Sequence, residues 1–289
     1  MKPQEQGEQQ THELLAHQRE LLEREDPWTR AKRAGELITF HQDEVTELSR
    51  MRREAIEELV SGGTKQTDIA AKINMTKARL SKLLSSGPKP ARAFLGTGKI
   101  TVAIGGKQES QKTNPSAVIS AEALAAYHAF SDLASSYNLD TEYELVPPPG
   151  MVRLNRTNLV VMTSPRLLPL VGQVLEADKH LAFESGAQGW YLRDRSTETI
   201  YRSPSDNGEP CDYAYIGRLP RPDGQGYFLY AAGIHAMGTK GAIHYLTENI
   251  EELYAKVKKK RFSTLIACHY DADTREITST ENVTPIYTA

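Results

Sequence analysis

Cysteine is nearly missing from this 289-residue sequence: Cys211 and Cys268 are the only two. Two isolated cysteines in a chain with no secretion signal read as free thiols of a reducing compartment. Long apolar runs are missing too. No stretch of about 18 apolar residues occurs, so no membrane-spanning helix is predicted. The polar opening MKPQEQGEQQTHELL lacks the apolar centre of a signal peptide, and the expectation is a cytoplasmic protein with no membrane partner. A large overall charge is also missing. The formal net charge is −2, which excludes a histone-like protein coated everywhere in positive charge. Metal-ligand spacings and complete catalytic fingerprints are not found either. No metal, cofactor or catalytic residue is therefore assigned, and the reading leans away from an enzyme.

What is present is enough apolar residue, 39%, to bury a core in roughly two domains. Residues 1–62 contain almost no strand formers. Within them DPWTRAKRAGELITFHQDEVTELSRMRREAIEELVSGG opens on Asp26 as N-cap with Pro27 at the first helical position, and stops at Gly62 and Gly63. Ile38, Val45, Leu48, Ala55 and Leu59 recur at nearly heptad spacing along it, interrupted by His41 and Arg52. That seam fits either a dimerisation helix or a helix packed on the protein's own body. Residues 12–25 predict an earlier amphipathic helix.

Residues 53–87 carry a second pattern, TKQTDIAAKINMTKARLSKLLSS at its centre. A helix from Thr67 to Ile73 with Ile69, Ala70 and Ile73 inward, a turn at Asn74 and Met75, and a helix capped by Thr76 with Leu80, Leu83 and Leu84 apolar make a helix-turn-helix. Asn74 suits the turn because asparagine tolerates left-handed backbone. From Val60 to Arg92 the cations Lys65, Lys72, Lys77, Arg79, Lys82, Lys89 and Arg92 face a single acid, Asp68. Such a local excess is an electrostatic footprint for phosphate. Arg79 is placed for bidentate contact with guanine. Lys65, Gln66, Thr76, Lys77 and Lys82 are placed for phosphate or mixed contacts with double-stranded DNA.

The stretch RREAIEELVSGGTKQTDIAAKINMTKARLSKLLSSG resembles the fourth-region helix-turn-helix of sigma factors, in the sigma-like proteins common in actinobacteria. The preceding DPWTRAKRAGELITFHQDEVTELSRMRREAIEEL resembles the leader of such proteins, and GRLPRPDGQGYFLYAAGIHAMGTKGAIHYL resembles the C-terminal domain attached to them. The resemblance implies DNA binding. Without the other polymerase-binding regions it implies a dimeric regulator rather than a working sigma factor.

Residues 88–99, with their prolines and glycines, read as a linker or hinge, and residues 100–289 as an α/β domain with a mixed, partly parallel sheet. The whole is expected to be an α+β multidomain protein, its N-terminal part all-α. Three strand ends carry small and cationic residues: Gly105, Gly106 and Lys107; Thr163, Ser164 and Arg166; His235, Gly238, Thr239 and Lys240. Strand ends that open helices are where open α/β sheets hold anions, so these ten residues are the candidate site for a small anionic ligand. The functional expectation is a sequence-specific DNA-binding regulator, a homodimer or higher homo-oligomer, modulated by that ligand or by oligomerisation. The alternatives are an enzyme acting on a nucleotide-like metabolite and an oligomerisation domain carrying DNA-binding heads.

Overall fold

The structure, a computed structural model, describes residue 14 and residues 16–109 and 113–288. It comprises two compact units, Met1–Ser49 and Arg50–Ala289. In the first, residues 16–23 form α1, and α2 (Pro27–Ser61) begins. Residues 12, 13 and 15 of the helix expected over 12–25 lie outside the described residues. The Asp26 carboxylate accepts from the backbone N–H of Trp28 at 3.0 Å and of Thr29 at 3.2 Å, so the predicted cap forms. All five apolar residues of the near-heptad seam are exposed, Leu48 at 61%.

The second unit starts with the last turns of α2, followed by α3 (Gln66–Lys72) and α4 (Lys77–Ser86). Gly63, at φ 87°, turns the chain out of α2, and Asn74, at φ 53°, makes the left-handed turn between α3 and α4. Ile56, Ile69, Ala70 and Leu80 form the buried centre of this three-helix head, with Val60, Leu83 and Leu84 partly buried against it. Ile73 is 38% exposed, contrary to its expected place on the inner face. The helix ends at Lys72, and Ile73, at ψ 15°, already departs from helical backbone. Arg53 fastens the head by donating to the Gly87 carbonyl at 2.6 Å.

The expected linker is partly core. Residues Ala91, Ala93, Phe94 and Leu95, mostly in α5 (Arg92–Leu95), are buried in the main hydrophobic cluster. Arg92 is buried and donates to the Tyr137 carbonyl at 3.1 Å.

Beyond it the chain builds a mixed, eight-stranded sheet. Its strands are β1 (Ile100–Gly105), β4 (Thr141–Val146), β5 (Leu159–Val161), β9 (Cys211–Pro220), β10 (Tyr227–Gly233), β11 (Phe262–Tyr270), β12 (Ile277–Asn282) and β13 (Tyr287–Thr288). Their order is β12-β11-β9-β10-β5-β1-β4, with β13 beside β11. The pairs β4–β1, β1–β5 and β5–β10 are parallel; β10–β9, β9–β11 and β11–β12 are antiparallel. Strand residues alternate between faces, so Val102, Val160 and Leu229 bury against α6 (Ala121–Ser136) and α8 (Ala236–Val257). Ala103, Val161 and Tyr230 bury on the other face with α7 (Pro169–Leu175) and a small sheet of β6 (Leu181–Gly186), β7 (Gly189–Asp194) and β8 (Thr199–Arg202). A hairpin of β2 (Lys107–Gln108) and β3 (Ala117–Val118) follows β1. Both faces of β1 and β5 are covered, which is why they read as nearly continuous apolar runs, broken only by Thr101 in β1. No helix among the described residues is long and apolar enough to cross a membrane.

The helical head is tied to the far end of α8. Lys258 donates to Glu54 at 2.5 Å, the Tyr254 hydroxyl donates to the same carboxylate at 2.9 Å, and Arg50 donates to it at 2.6 Å. Burial tends to raise the Glu54 carboxyl, but Lys258, Arg50 and Tyr254 together hold it below the ordinary glutamate value. A lowered folded value contributes stability that is present above the unfolded value and lost as pH falls through the folded one. Amide protection factors at residues 54–61 and 254–258 are therefore expected to fall as pH drops below the ordinary glutamate value, and E54Q to remove that pH dependence. Protection in the native protein that ignores pH would contradict the assignment.

Candidate functional site

Two places gather the residues singled out by sequence. The first is the outer face of α3 and α4. Thr76 caps α4, its hydroxyl accepting from the Arg79 backbone N–H at 3.2 Å. That places Lys77 and Arg79 in the first turn and Lys82 one turn on. Lys65, Gln66, Thr76, Lys77, Arg79 and Lys82 are all exposed. Among the described residues, Lys65, Lys72, Lys77, Arg79 and Lys82 have no carboxylate partner. Lys89 and Arg92 leave the predicted basic footprint: Lys89 pairs with Glu251 at 2.9 Å, and Arg92 is turned into the core.

The second place lies at the C-terminal ends of β1, β5 and β10. β1 leads to α6 on one face of the sheet and β5 leads to α7 on the other, so a crevice opens between them where the connections part. A cavity of about 280 Å³ occupies it. Seven of the ten predicted residues line it: Gly105, Lys107, Thr163, Ser164, Arg166, His235 and Thr239. Three strand ends, the outermost two being Gly105 and Gly233, 128 residues apart in sequence, thus meet.

The other three do not join them. Gly106 is held against Leu145 and Ala117, its N–H donating to the Val146 carbonyl at 2.8 Å. Lys240 turns to a groove between α6 and α8 and donates to the Arg275 carbonyl at 2.6 Å. Gly238 is buried, and its N–H is taken by the protein's own carboxylate. Asp212, on β9 and fully buried, accepts from Gly238 N–H at 2.8 Å and His235 N–H at 2.9 Å. Burial pushes its carboxyl up, against the pull of Ser203, those two N–H groups and the His235 ring. An internal carboxylate therefore meets much of the positive end of α8.

Of the lining hydroxyls, Thr163 accepts from Gly105 N–H at 2.8 Å and donates to the Met162 carbonyl at 2.7 Å, and Thr239 accepts from Gly233 N–H at 2.9 Å. These two hold the loops together. His235 Nε2 lies 2.8 Å from Asp206 at the cavity's edge. Sequence reasoning missed Ser120 and Glu122, at the start of α6, and Arg275, in the turn between β11 and β12. Arg275 donates to Glu122 at 3.0 Å across 153 residues. The Ser120 cap before an alanine-rich helix was a legible signal; nothing local to Arg275 marked it.

Two further reactive or charged side chains are structural. Arg218 is buried, donates to the carbonyls of Lys258 at 2.6 Å and Lys260 at 2.9 Å, and lies 4.5 Å from the Phe94 ring centroid. Burial pulls its guanidinium down to about 10. Cys268 is fully buried, which pushes its thiol up to about 12. The chain was compared with protein-family models, with curated proteins and with solved structures, and none of them matches it.

Proposed function

We propose that this chain is a cytoplasmic, sequence-specific DNA-binding transcription regulator. It acts as a dimer through the exposed seam of α2 and is modulated through its α/β part by a small anionic ligand or by oligomerisation. The observation that carries the reading is the α3–α4 face. Thr76 and Asn74 set the geometry of a helix-turn-helix, and the cations of the second helix stand exposed, without carboxylate partners among the described residues. In that geometry the first turn of the second helix meets base edges in the major groove. Arg79 then reads a guanine, while Lys65, Gln66, Thr76, Lys77 and Lys82 hold the phosphates.

The two ends of α8 support modulation. Its first turn lines the cavity, and its last turns hold Glu54 of the helical head. A ligand that favours one setting of this helix shifts DNA affinity by its differential binding to the two settings.

The test selects bound fragments from random genomic DNA with the full chain and with Arg79→Ala, at two salt concentrations. Enrichment of a two-fold symmetric sequence is expected, with Arg79→Ala weakening it by about 1–3 kcal/mol and relaxing one base position in each half-site. Salt-sensitive binding without any enriched sequence would leave phosphate attraction alone and overturn the reading.

A further inference from the structure

We infer that the cavity at the ends of β1, β5 and β10 takes a phosphate monoester of a small hydroxylated metabolite, of sugar-phosphate size. The inference rests on the reading of this cavity as the regulator's ligand site, and it names the ligand's chemistry.

Ser164 is the residue that points to an occupant. It is only 8% exposed, it lines the cavity, and its hydroxyl has no hydrogen-bond partner among the described residues. The hydroxyls around it are all engaged by the protein: Thr163 with Gly105, Thr239 with Gly233, and Ser120 with the Ala123 N–H at 3.2 Å. That unengaged hydroxyl on a nearly buried residue of the cavity wall is available to a polar group that enters.

The charge around it selects the occupant's charge. Lys107, Arg166 and Arg275 line the cavity against one carboxylate, Glu122. Glu122 is held by Arg275, whereas Lys107 and Arg166 are exposed and have no carboxylate partner among the described residues. The N-terminus of α6 opens into the same space, at Ser120 and Ala123. Two uncompensated cations beside a 16-residue helix start suit a group carrying about −1.5 to −2, the charge of a phosphate monoester near neutral pH. A single carboxylate would leave one cation unanswered.

Size and lining then exclude the larger phosphate esters. The volume of about 280 Å³ sits at the lower edge of the range of about 300–1,000 Å³ typical of small-molecule sites. No phenylalanine, tyrosine or tryptophan among the described residues lines it, so a nucleobase has no aromatic face there to stack on. Glu122 and Ser164, which also line the cavity, instead offer polar groups to a ligand's hydroxyls.

The experiment titrates the full chain calorimetrically with ribose 5-phosphate, glycerol 3-phosphate, glucose 6-phosphate, ribose, inorganic phosphate and AMP. At least one sugar or polyol phosphate is expected to bind, ribose not detectably, inorganic phosphate about tenfold more weakly, and AMP no more tightly than the best of the three. K107Q and R166Q are each expected to weaken the ester about tenfold and S164A about threefold, with K240Q unchanged. Failure of all three sugar and polyol phosphates at millimolar concentration, tighter binding of AMP, or binding indifferent to K107Q, R166Q and S164A would overturn the inference. Running the DNA selection on the same preparations separates the two readings. A protein that enriches an operator and ignores the esters refutes the ligand class alone. One that binds the ester and enriches no DNA refutes the regulator and upholds the ligand.

Discussion

Replacing Asp212 by alanine is expected to lower the melting temperature by roughly 10 °C. Its two carboxylate oxygens serve three backbone N–H groups: His235 at 2.9 Å, Gly238 at 2.8 Å and Tyr213 at 2.9 Å. The residue is fully buried, so alanine leaves those donors without an acceptor and without water to replace it. Each orphaned donor costs about 1–3 kcal/mol. Relief of the desolvated carboxylate returns part of this, leaving a net loss of about 3–5 kcal/mol. In a unit of this size each kcal/mol moves the transition by about 2–4 °C. Asp212→Asn keeps one oxygen for two of the three donors and is expected to fall between native and alanine. A differential scanning experiment that found Asp212→Ala melting with the native protein would show that α8 is started by something other than this carboxylate.

Gly241→Ala is expected to destabilise although alanine is the better helix former by about 1 kcal/mol. A Cβ at this position of α8 would stand 2.2 Å from the Cys268 sulfur and 2.3 Å from its Cβ. The sulfur alone can rotate, but the β-carbon cannot, because it belongs to β11, which is paired on both sides, with β9 and β12. The helix must then lift from the strand, and such overpacking costs about 1–3 kcal/mol or more. A double-mutant cycle isolates the contact. Gly241→Ala is expected to stay destabilising when combined with Cys268→Ala and to recover in part with Cys268→Gly, whose missing Cβ vacates the space. Equal recovery with both partners would place the conflict at the sulfur alone.

The sequence exposed most of this architecture because most of it is written locally. Asp26, Gly63, Asn74 and Thr76 are punctuation residues whose φ values or side-chain acceptors are needed within three positions of where they stand, and each does what its type predicts. The cavity was legible for a similar reason: apolar runs ending in glycine, serine or threonine marked three strand ends, and parallel pairing brought them together. What local pattern does not carry is direction. Thr239 and Lys240 are adjacent, yet one helical step of about 100° sends the first into the cavity and the second into the neighbouring groove. Gly238 was read as an open anion contact because its carboxylate partner lies 26 residues away on another strand. β6 carries little local signal, because LAFESG ends in polar and glycine residues, and its pairing with β7 is what makes it a strand. In RLLPLVGQVLEAD the helix α7 begins only at Pro169, whose fixed φ sets its first turn. The hinge at residues 88–99 was inferred from its prolines and glycines, while Phe94 and Leu95 inside it, buried in the main cluster, were the stronger signal.

The junction between Glu54 and α8 also has a history in time. Tyr254 and Lys258 follow Glu54 by 200 and 204 residues. At translation rates of about 5–20 residues per second, roughly 10–40 s separate the synthesis of the helical head from that of the helix it rests on. Over that interval the head is held by its own short-range contacts, the core of Ile56, Ile69, Ala70 and Leu80 and the bond of Arg53 to the Gly87 carbonyl. Each nascent chain therefore passes through a period in which the head is formed by short-range contacts and is not yet coupled to the cavity that α8 completes.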